Sequence, residues 1–121
     1  MRIFVAHSSA YDFKNELYIP LRQSKLNKEH VIILPQENGK EVITKDIIKA
    51  CDVVVAEVSY ASTGQGIELG WADIFCIPIL CIYKKGGKYS SSLMKLTHTF
   101  VSYDNAEDLI IKIGQELTKS Q

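Results

Sequence analysis

Short apolar runs alternate with longer amphipathic segments along this chain, and this alternation restricts its fold more than any other feature. The apolar runs are rich in valine and isoleucine and cover residues 3–6, 30–34, 52–58, 77–83 and 99–102. Three of them are almost continuously apolar, as strands buried on both faces of a parallel sheet are. We therefore predict five β-strands, most of them parallel.

The segments between these runs have helical periodicity. They cover residues 12–23, 41–50, 65–75 and 106–117. In the second segment, four aliphatic side chains fall on one predicted helix face: Val42, Ile43, Ile47 and Ile48.

Strands that alternate with helices predict an α/β fold. We expect a single domain over residues 1–121, built as a three-layer sandwich with a five-stranded, mostly parallel sheet of flavodoxin-like or Rossmann-like type. Ligands of such sheets bind beyond the carboxyl ends of the strands. The candidate site segments are therefore 7–12, 59–68 and 84–92.

The charge balance argues against two kinds of partner. Fourteen basic residues balance fourteen acidic ones, so the chain has no basic excess with which to bind nucleic acid. No apolar run approaches the roughly 18 residues of a membrane span, and the apolar stretch before His7 is too short for a signal peptide. We expect a cytoplasmic protein that binds neither nucleic acid nor membrane.

The cysteines argue against a disulfide framework or a zinc site. Cys51, Cys76 and Cys81 each lie in an apolar run, their number is odd, and no pair has C-x-x-C spacing. We interpret them as buried thiols in a reducing compartment. Because no His, Asp and Glu residues cluster at ligand spacing, we expect no metal and no other cofactor.

The most informative stretch, residues 52–72, has the pattern of a strand, a loop and a helix. Gly64 and Gly66 would let the loop wrap an anion or a sugar hydroxyl, and Ser62 would add a hydroxyl to this cradle. Glu68 is predicted in or near the first helical turn, where the helix dipole favours an ionised carboxylate. Such a carboxylate could attack an anomeric carbon, although acidic residues are also common in first turns for the dipole alone.

These residues also carry a resemblance to a known family. The chain resembles the nucleoside 2-deoxyribosyltransferases, and most closely their branch of 2′-deoxynucleoside 5′-monophosphate N-glycosidases. The matching positions are Asp52, Glu57, Ser62, Gly64, Gly66, Glu68, Leu69 and Gly70. The resemblance continues without a gap to residue 94, so it covers roughly the C-terminal two thirds of the chain.

The resemblance implies a role for each matched residue. Glu68 would attack C1′ of the sugar and form a glycosyl-enzyme intermediate, while Ser62, Gly64 and Gly66 would hold the 5′ end of a nucleoside or nucleotide. Ser92 would reach the site of a neighbouring subunit, which implies a homodimer with shared active sites.

Two residues of the family site are not matched. The family's strand tyrosine and helix aspartate fall on Ile3 and Thr44, neither of which can perform that acid chemistry. Asp46 lies two residues further on and would face nearly the opposite way on a helix. Near the missing groups, His7 or Ser8 could line the other wall, with His7 as a possible acid, and Tyr11 could replace the missing tyrosine. Alternatively, His7 hydrogen-bonds a neighbouring loop, Tyr11 serves packing, and Ser8 caps the following helix.

Glu57 and the lysines after the fourth strand are further candidates. Glu57 could be a second carboxylate about 5 Å from Glu68, as retaining glycosidases need, or it could accept hydrogen bonds from loop N–H groups. Lys84, Lys85 and Lys88 could attract a phosphate or simply be solvated.

We therefore expect cleavage or transfer at an N-glycosidic bond. The opening residues 3–9 are also similar to the first strand and loop of TIR-like domains. That similarity keeps open a non-catalytic nucleotide-binding or signalling module, or cleavage of NAD.

Overall fold

The sheet has five strands, all parallel. The structure is a computed structural model and describes residues 1–39 and 42–119. The strands are β1 (Arg2–His7), β2 (Val31–Ile33), β3 (Val53–Glu57), β4 (Ile79–Lys84) and β5 (Phe100–Tyr103). Their spatial order, β2-β1-β3-β4-β5, is that of flavodoxin-like folds. The predicted fold class is thus confirmed.

Helices cover both faces of the sheet. A π-helical turn, Lys14–Tyr18, runs directly into α1 (Ile19–Gln23), and it lies just before Pro20, whose ring would clash with the preceding turn of a regular α-helix. The others are α2 (Leu26–Glu29), α3 (Lys45–Lys49), α4 (Thr63–Ile74), a 3-10 helix at Ser91–Lys95, and α5 (Ala106–Lys119). Over residues 1–39 and 42–119, no helix is long and apolar enough to cross a membrane.

The segment before α3 differs most from the sequence prediction. The helix predicted over 41–50 begins only at Lys45, and residue 41 lies outside the described part of the chain. Val42 and Ile43 precede the helix and are 52% and 82% exposed, so they do not share a buried face with Ile47 and Ile48. Their spacing from the other aliphatic residues fits a helix, but both side chains line a surface pocket instead.

Two apolar cores lie on the two faces of the sheet. Alternate residues of β3 point to opposite faces: Val53 and Val55 pack with the side chains of α1, α2 and α5. Val54 and Ala56 pack with those of α3 and α4. This division decides which side chains can reach a site on the α3 and α4 face.

The prediction of three buried thiols was wrong for Cys76. Cys51 and Cys81 are buried, whereas Cys76 is exposed. It follows the end of α4 with a φ of 59°, the left-handed conformation that commonly ends a helix. This backbone turn carries its side chain out of the apolar run.

The core beneath α5 provides a stability test. Leu109 is fully buried and Ile111, two residues along the same helix, is 49% exposed. We expect Leu109→Ala to lower the free energy of unfolding by about 2–5 kcal/mol, because it leaves a cavity. Ile111→Ala should change it by no more than about 0.5 kcal/mol. Urea unfolding measures both, and equal losses would contradict the assignment of the buried face.

Candidate active site

A pocket of about 880 Å³ opens at the carboxyl edge of the sheet. Its walls come from the end of β1 and the segment after it, from the segment after β2, and from α4 with its N-cap, which follow β3. Ligands of doubly wound sheets bind in this kind of crevice. The predicted segments 7–12 and 59–68 thus both reach the pocket, whereas the segment after β4 contributes none of its described lining residues.

Glu68 lines this pocket, but not from the first turn of its helix. α4 begins at Thr63, so Glu68 lies in the second turn, and no acidic residue lies in the first. Its Oε2 accepts a 2.6 Å hydrogen bond from the Thr44 hydroxyl. Burial raises the pKa of Glu68, and the Thr44 hydrogen bond partly opposes that rise. Burial and the Thr44 hydrogen bond therefore both act on the pKa of this carboxylate, which lies beyond the first turn, where the helix dipole acts most strongly.

Gly64 and Gly66 do not have the predicted loop conformation, and their role in holding a ligand stays a prediction. Both lie inside α4, and neither has a positive φ. A Cβ placed on Gly66 would meet nothing within 4 Å, and one on Gly64 would be 4.0 Å from Ser62 Oγ. The missing side chains thus leave open space above the helix start, and of the two glycines only Gly64 is among the pocket-lining residues.

Ser62 is the N-cap of α4 and lines the pocket as well. Its Oγ accepts a hydrogen bond of 3.4 Å from the Gln65 N–H, and its carbonyl accepts one of 3.1 Å from the Gly66 N–H. The N–H groups of Thr63 and Gly64 lie in the first turn of α4, where backbone donors have no acceptor within the helix. This end of α4 can therefore donate to an anionic or hydroxyl group in the pocket.

Gln65 fixes the position of α4 on the sheet, and the sequence reasoning overlooked it. Its side chain is buried, and Nε2 donates to the carbonyls of Ala6 at 3.3 Å and Glu57 at 2.7 Å. One amide thereby joins the helix start to the ends of β1 and β3. The available signal was a polar residue three positions after Ser62, although polar residues are common on exposed helices.

His7 lies on the wall opposite α4, at the end of β1, and is buried. A carbonyl only accepts, so Nδ1 donates to the Ser8 carbonyl at 2.8 Å. Burial lowers the pKa of His7 and favours the neutral ring. Its Nε2 then accepts from the Tyr18 hydroxyl at 2.6 Å, whose oxygen accepts from the Gln36 N–H at 3.0 Å. With both nitrogens engaged, the ring is poorly placed to protonate a leaving base.

Ser8 and Tyr11 do not line the pocket. Ser8 is buried, and its Oγ accepts a hydrogen bond from the Ala10 N–H at 3.0 Å, so it shapes the loop after β1. Tyr11 stacks on Tyr60 at a centroid distance of 4.7 Å, and Lys84 Nζ lies over both rings. The geometry therefore does not support Tyr11 as a substitute for the missing tyrosine.

Glu57 points away from the pocket. It is fully buried on the same face of β3 as Val53 and Val55, and it accepts hydrogen bonds from the Ser59 N–H, the Ser59 hydroxyl and the Tyr103 hydroxyl. The proposal of a second carboxylate beside Glu68 is therefore wrong. The alternative, a carboxylate that accepts from a loop N–H group, describes what is found.

Two of the lysines at and after the end of β4 are engaged elsewhere. Lys84 pairs with Glu16 at 2.6 Å and contacts the Tyr60 hydroxyl, and Lys85 lies 3.5 Å from Asp104. None of the three lysines, 84, 85 or 88, lines the pocket. Among the residues that the structure describes, the lysine that lines the pocket is Lys14, on the π-helical turn after β1.

Ser92 lies on the exposed side of the 3-10 helix and outside this pocket. Its side of the fold is nevertheless the α3 and α4 side, because Leu93 of the same helix packs in that core. Ile3, where the family has a tyrosine, is a buried core residue. Among the described residues, no group of three or more His, Cys, Asp or Glu side chains is placed to hold a metal ion.

Comparison with known proteins gives one curated relative and several structural ones. No family model matches the chain. A protein of Syntrophotalea carbinolica named "Putative 2'-deoxynucleoside 5'-phosphate N-hydrolase 1" is 37% identical over 65 residues, which cover 51% of this chain and 46% of that protein. The chain thus spans less than half the length of this relative.

The solved structures share the fold. The Clostridium botulinum CMP N-glycosidase BcmB has a TM-score of 0.67 at 22% identity and covers 94% of this chain and 99% of its own. The 2-deoxyribosyltransferase of Bacillus psychrosaccharolyticus has a TM-score of 0.67 at 18% identity, with 90% of each chain covered. The Leishmania mexicana enzyme of the same name has a TM-score of 0.59 at 20% identity, with 82% of this chain and 89% of that one covered.

Fold and pocket together define a flavodoxin-like α/β protein with a carboxylate at its switch point. The predicted resemblance to the nucleoside 2-deoxyribosyltransferase family and its N-glycosidase branch is confirmed, in sequence by the curated relative and in fold by the solved structures.

The buried His7 makes stability depend on pH. Its pKa is lowered from the ordinary 6.5, so between the two values the unfolded chain binds more protons than the folded one, and stability falls as the pH falls below about 6.5. Urea unfolding between about pH 5 and 8 should show this fall, and His7→Asn should flatten it. The exposed His98→Asn is the control and should keep the wild-type slope. Identical slopes in all three proteins would contradict a buried, neutral His7.

Proposed function

We propose that this protein cleaves the N-glycosidic bond of a nucleoside or a nucleoside 5′-monophosphate, by hydrolysis or by deoxyribosyl transfer, with Glu68 as nucleophile. The observation that carries the proposal is a carboxylate fixed on the wall of a nucleotide-sized pocket, beside an uncovered helix start. The relatives' names point to the same bond.

In the proposed reaction, a carboxylate oxygen of Glu68 attacks C1′ of the sugar. The C1′–N bond breaks, and its electron pair leaves with the base, which takes a proton from water. Among the described lining residues, Glu68 is the only carboxylate and His7 is held neutral, so solvent is the proton source in this scheme. Water or a second base then attacks C1′ and releases Glu68.

The substrate's 5′ end would lie at the start of α4. Ser62 supplies a hydroxyl there, Gly64 supplies a backbone N–H group, and Lys14 supplies a positive charge to the same pocket. These groups favour a 5′-phosphate over a bare 5′-hydroxyl. The aromatic rings of Phe13 and Trp71 also line the pocket and offer apolar surface to a base.

Chromatography of free base after incubation with nucleosides and their 5′-monophosphates tests the reaction. We expect release from the wild type, and a fall on the order of 10³-fold or more in Glu68→Gln, because the amide is not a nucleophile. Glu107→Gln, an exposed glutamate on α5, should keep full activity. Rapid quenching and mass spectrometry should find the sugar attached to Glu68.

Three outcomes would contradict this scheme. Release that persists in Glu68→Gln would exclude Glu68 as the nucleophile. Calorimetric binding of nucleotides without release of base would indicate a binding module. Nicotinamide release from NAD, with none from deoxynucleotides, would indicate the TIR-like activity.

We also propose that the chain forms a homodimer through the α4 side of the sheet. Three apolar residues of α4 lie at spacings of four and three: Ile67 and Ile74 are 50% and 76% exposed, and Trp71 lies half-buried between them. Exposed Met94 belongs to the 3-10 helix that carries Ser92, on the same side of the sheet. A two-fold axis along this face would bring Ser92 of each subunit toward the partner's pocket.

Light scattering at micromolar concentration tests the dimer. We expect a dimer for the wild type and a monomer with reduced activity for Ile74→Lys, because a buried unpaired charge is costly at an interface. Ile111→Lys places the same charge on α5, at the opposite face, and should remain dimeric. A monomeric wild type would contradict the shared site.

A further inference from the structure

Thr44 occupies the N-cap position of α3 but does not cap that helix with its side chain. The Thr44 carbonyl accepts the Ile48 N–H at 2.9 Å, and no side-chain hydrogen bond closes the helix start. A threonine at this position ordinarily uses its hydroxyl for capping. Here the hydroxyl donates instead to Oε2 of Glu68, at 2.6 Å, and the residue is buried.

The bond occupies one of the two carboxylate oxygens. Within residues 1–39 and 42–119, no protein donor contacts Glu68 Oε1, which leaves that oxygen available to a ligand. A hydroxyl that donates to a carboxylate stabilises its ionised form, whereas burial favours its neutral form. The two effects oppose each other at Glu68, and both follow from the positions of α3 and α4.

The other ionisable groups near Glu68 do not bond to it. His7 and Lys14 line the same pocket from the segment after β1, and Tyr18 lies behind His7. Asp46 on α3 is exposed. Among the described residues, Thr44 is therefore the side chain that determines how the Glu68 carboxylate is held.

We propose that Thr44 is a positioning residue, whose hydroxyl fixes Oε2 of Glu68 and keeps the carboxylate ionised so that Oε1 can attack the sugar. The inference rests on the proposed function. It also accounts for a neutral residue where the resemblance implies an aspartate. A second carboxylate at 2.6 Å from Glu68 would compete with it for a proton, whereas a hydroxyl supplies a donor without a charge.

Two substitutions separate the hydroxyl from the shape of the side chain. Thr44→Val keeps the volume and removes the donor, and Thr44→Ser keeps the donor. Because the side chain does not cap α3, neither variant should lose the helix, and circular dichroism with urea unfolding checks this. Thr118→Val removes a hydroxyl that bonds to the Gly114 carbonyl on α5, far from the pocket, and is the matched control.

The direct measurement is the pKa of Glu68, read from the carboxyl ¹³C resonance of glutamate-labelled protein and assigned with Glu68→Gln. Thr44→Val should raise this pKa by about one unit, as expected for loss of a hydrogen bond to a charged group. Thr44→Ser and Thr118→Val should leave it at the wild-type value.

The kinetic measurement is the pH profile of base release. In Thr44→Val, the acidic limb of kcat/KM should move to higher pH by the same amount, and kcat should fall about tenfold with a smaller change in KM. Thr44→Ser should restore both. A merely structural role would lower activity without moving the limb.

The two readouts separate failure of this inference from failure of the proposed function. An unchanged Glu68 pKa in Thr44→Val, or a raised pKa with an unmoved acidic limb, would overturn the role of Thr44 while Glu68→Gln remains inactive. Base release that persists in Glu68→Gln would instead overturn the proposed function, whatever the resonance shows.

Discussion

The site depends on one buried amide. Gln65 Nε2 donates to the carbonyls of Ala6 and Glu57, which end two neighbouring parallel strands. A buried amide without partners would be costly, and these two carbonyls satisfy it. By donating to both, Gln65 fixes the start of α4 over the junction of β1 and β3. Ser62, Gly64 and Glu68 all take their positions from that anchored helix.

The chemistry of the pocket follows from how this anchored helix meets α3. Glu68 enters a partly desolvated wall, where a carboxylate loses solvation, and the single short hydrogen bond from Thr44 restores part of the stabilisation that water would give. On the opposite wall, burial lowers the pKa of His7 and favours the neutral ring, while the hydrogen bond to the Ser8 carbonyl partly opposes that shift. The pocket therefore combines a carboxylate held by one hydrogen bond with a histidine whose neutral form is favoured.

The fold was readable from the sequence because burial on both faces leaves an almost uniformly apolar strand, as in 53–55 and 79–82. The site was only partly readable. Glu68 and Ser62 were found from their pattern, but the turn that holds Glu68 depended on whether α4 begins at residue 63 or 65, a difference that local sequence does not fix. Thr44 and Gln65 escaped because their roles are contacts across 24 and 59 residues of sequence, which no local pattern encodes. Val42 and Ile43 led to a wrong prediction because their spacing from Ile47 and Ile48 fits a helix, whereas α3 begins only at Lys45 and both residues are exposed.

Glu57 and Glu68 lie on opposite sides of the sheet. Alternate side chains of β3 point to opposite faces, and Glu57 shares the face that α5 covers, whereas Glu68 lies on α4, which covers the other face. Glu57 and its partners Ser59 and Tyr103 belong to the α5 side, and Glu68 belongs to the α4 side, with the sheet between them. The sheet thus separates the hydrogen-bonded group around Glu57 from Glu68, which lines the pocket. Substitutions accumulating in the α5 layer can alter the stability of such a protein while leaving Glu68 in its own environment, so stability and the surroundings of the pocket carboxylate can change independently during evolution.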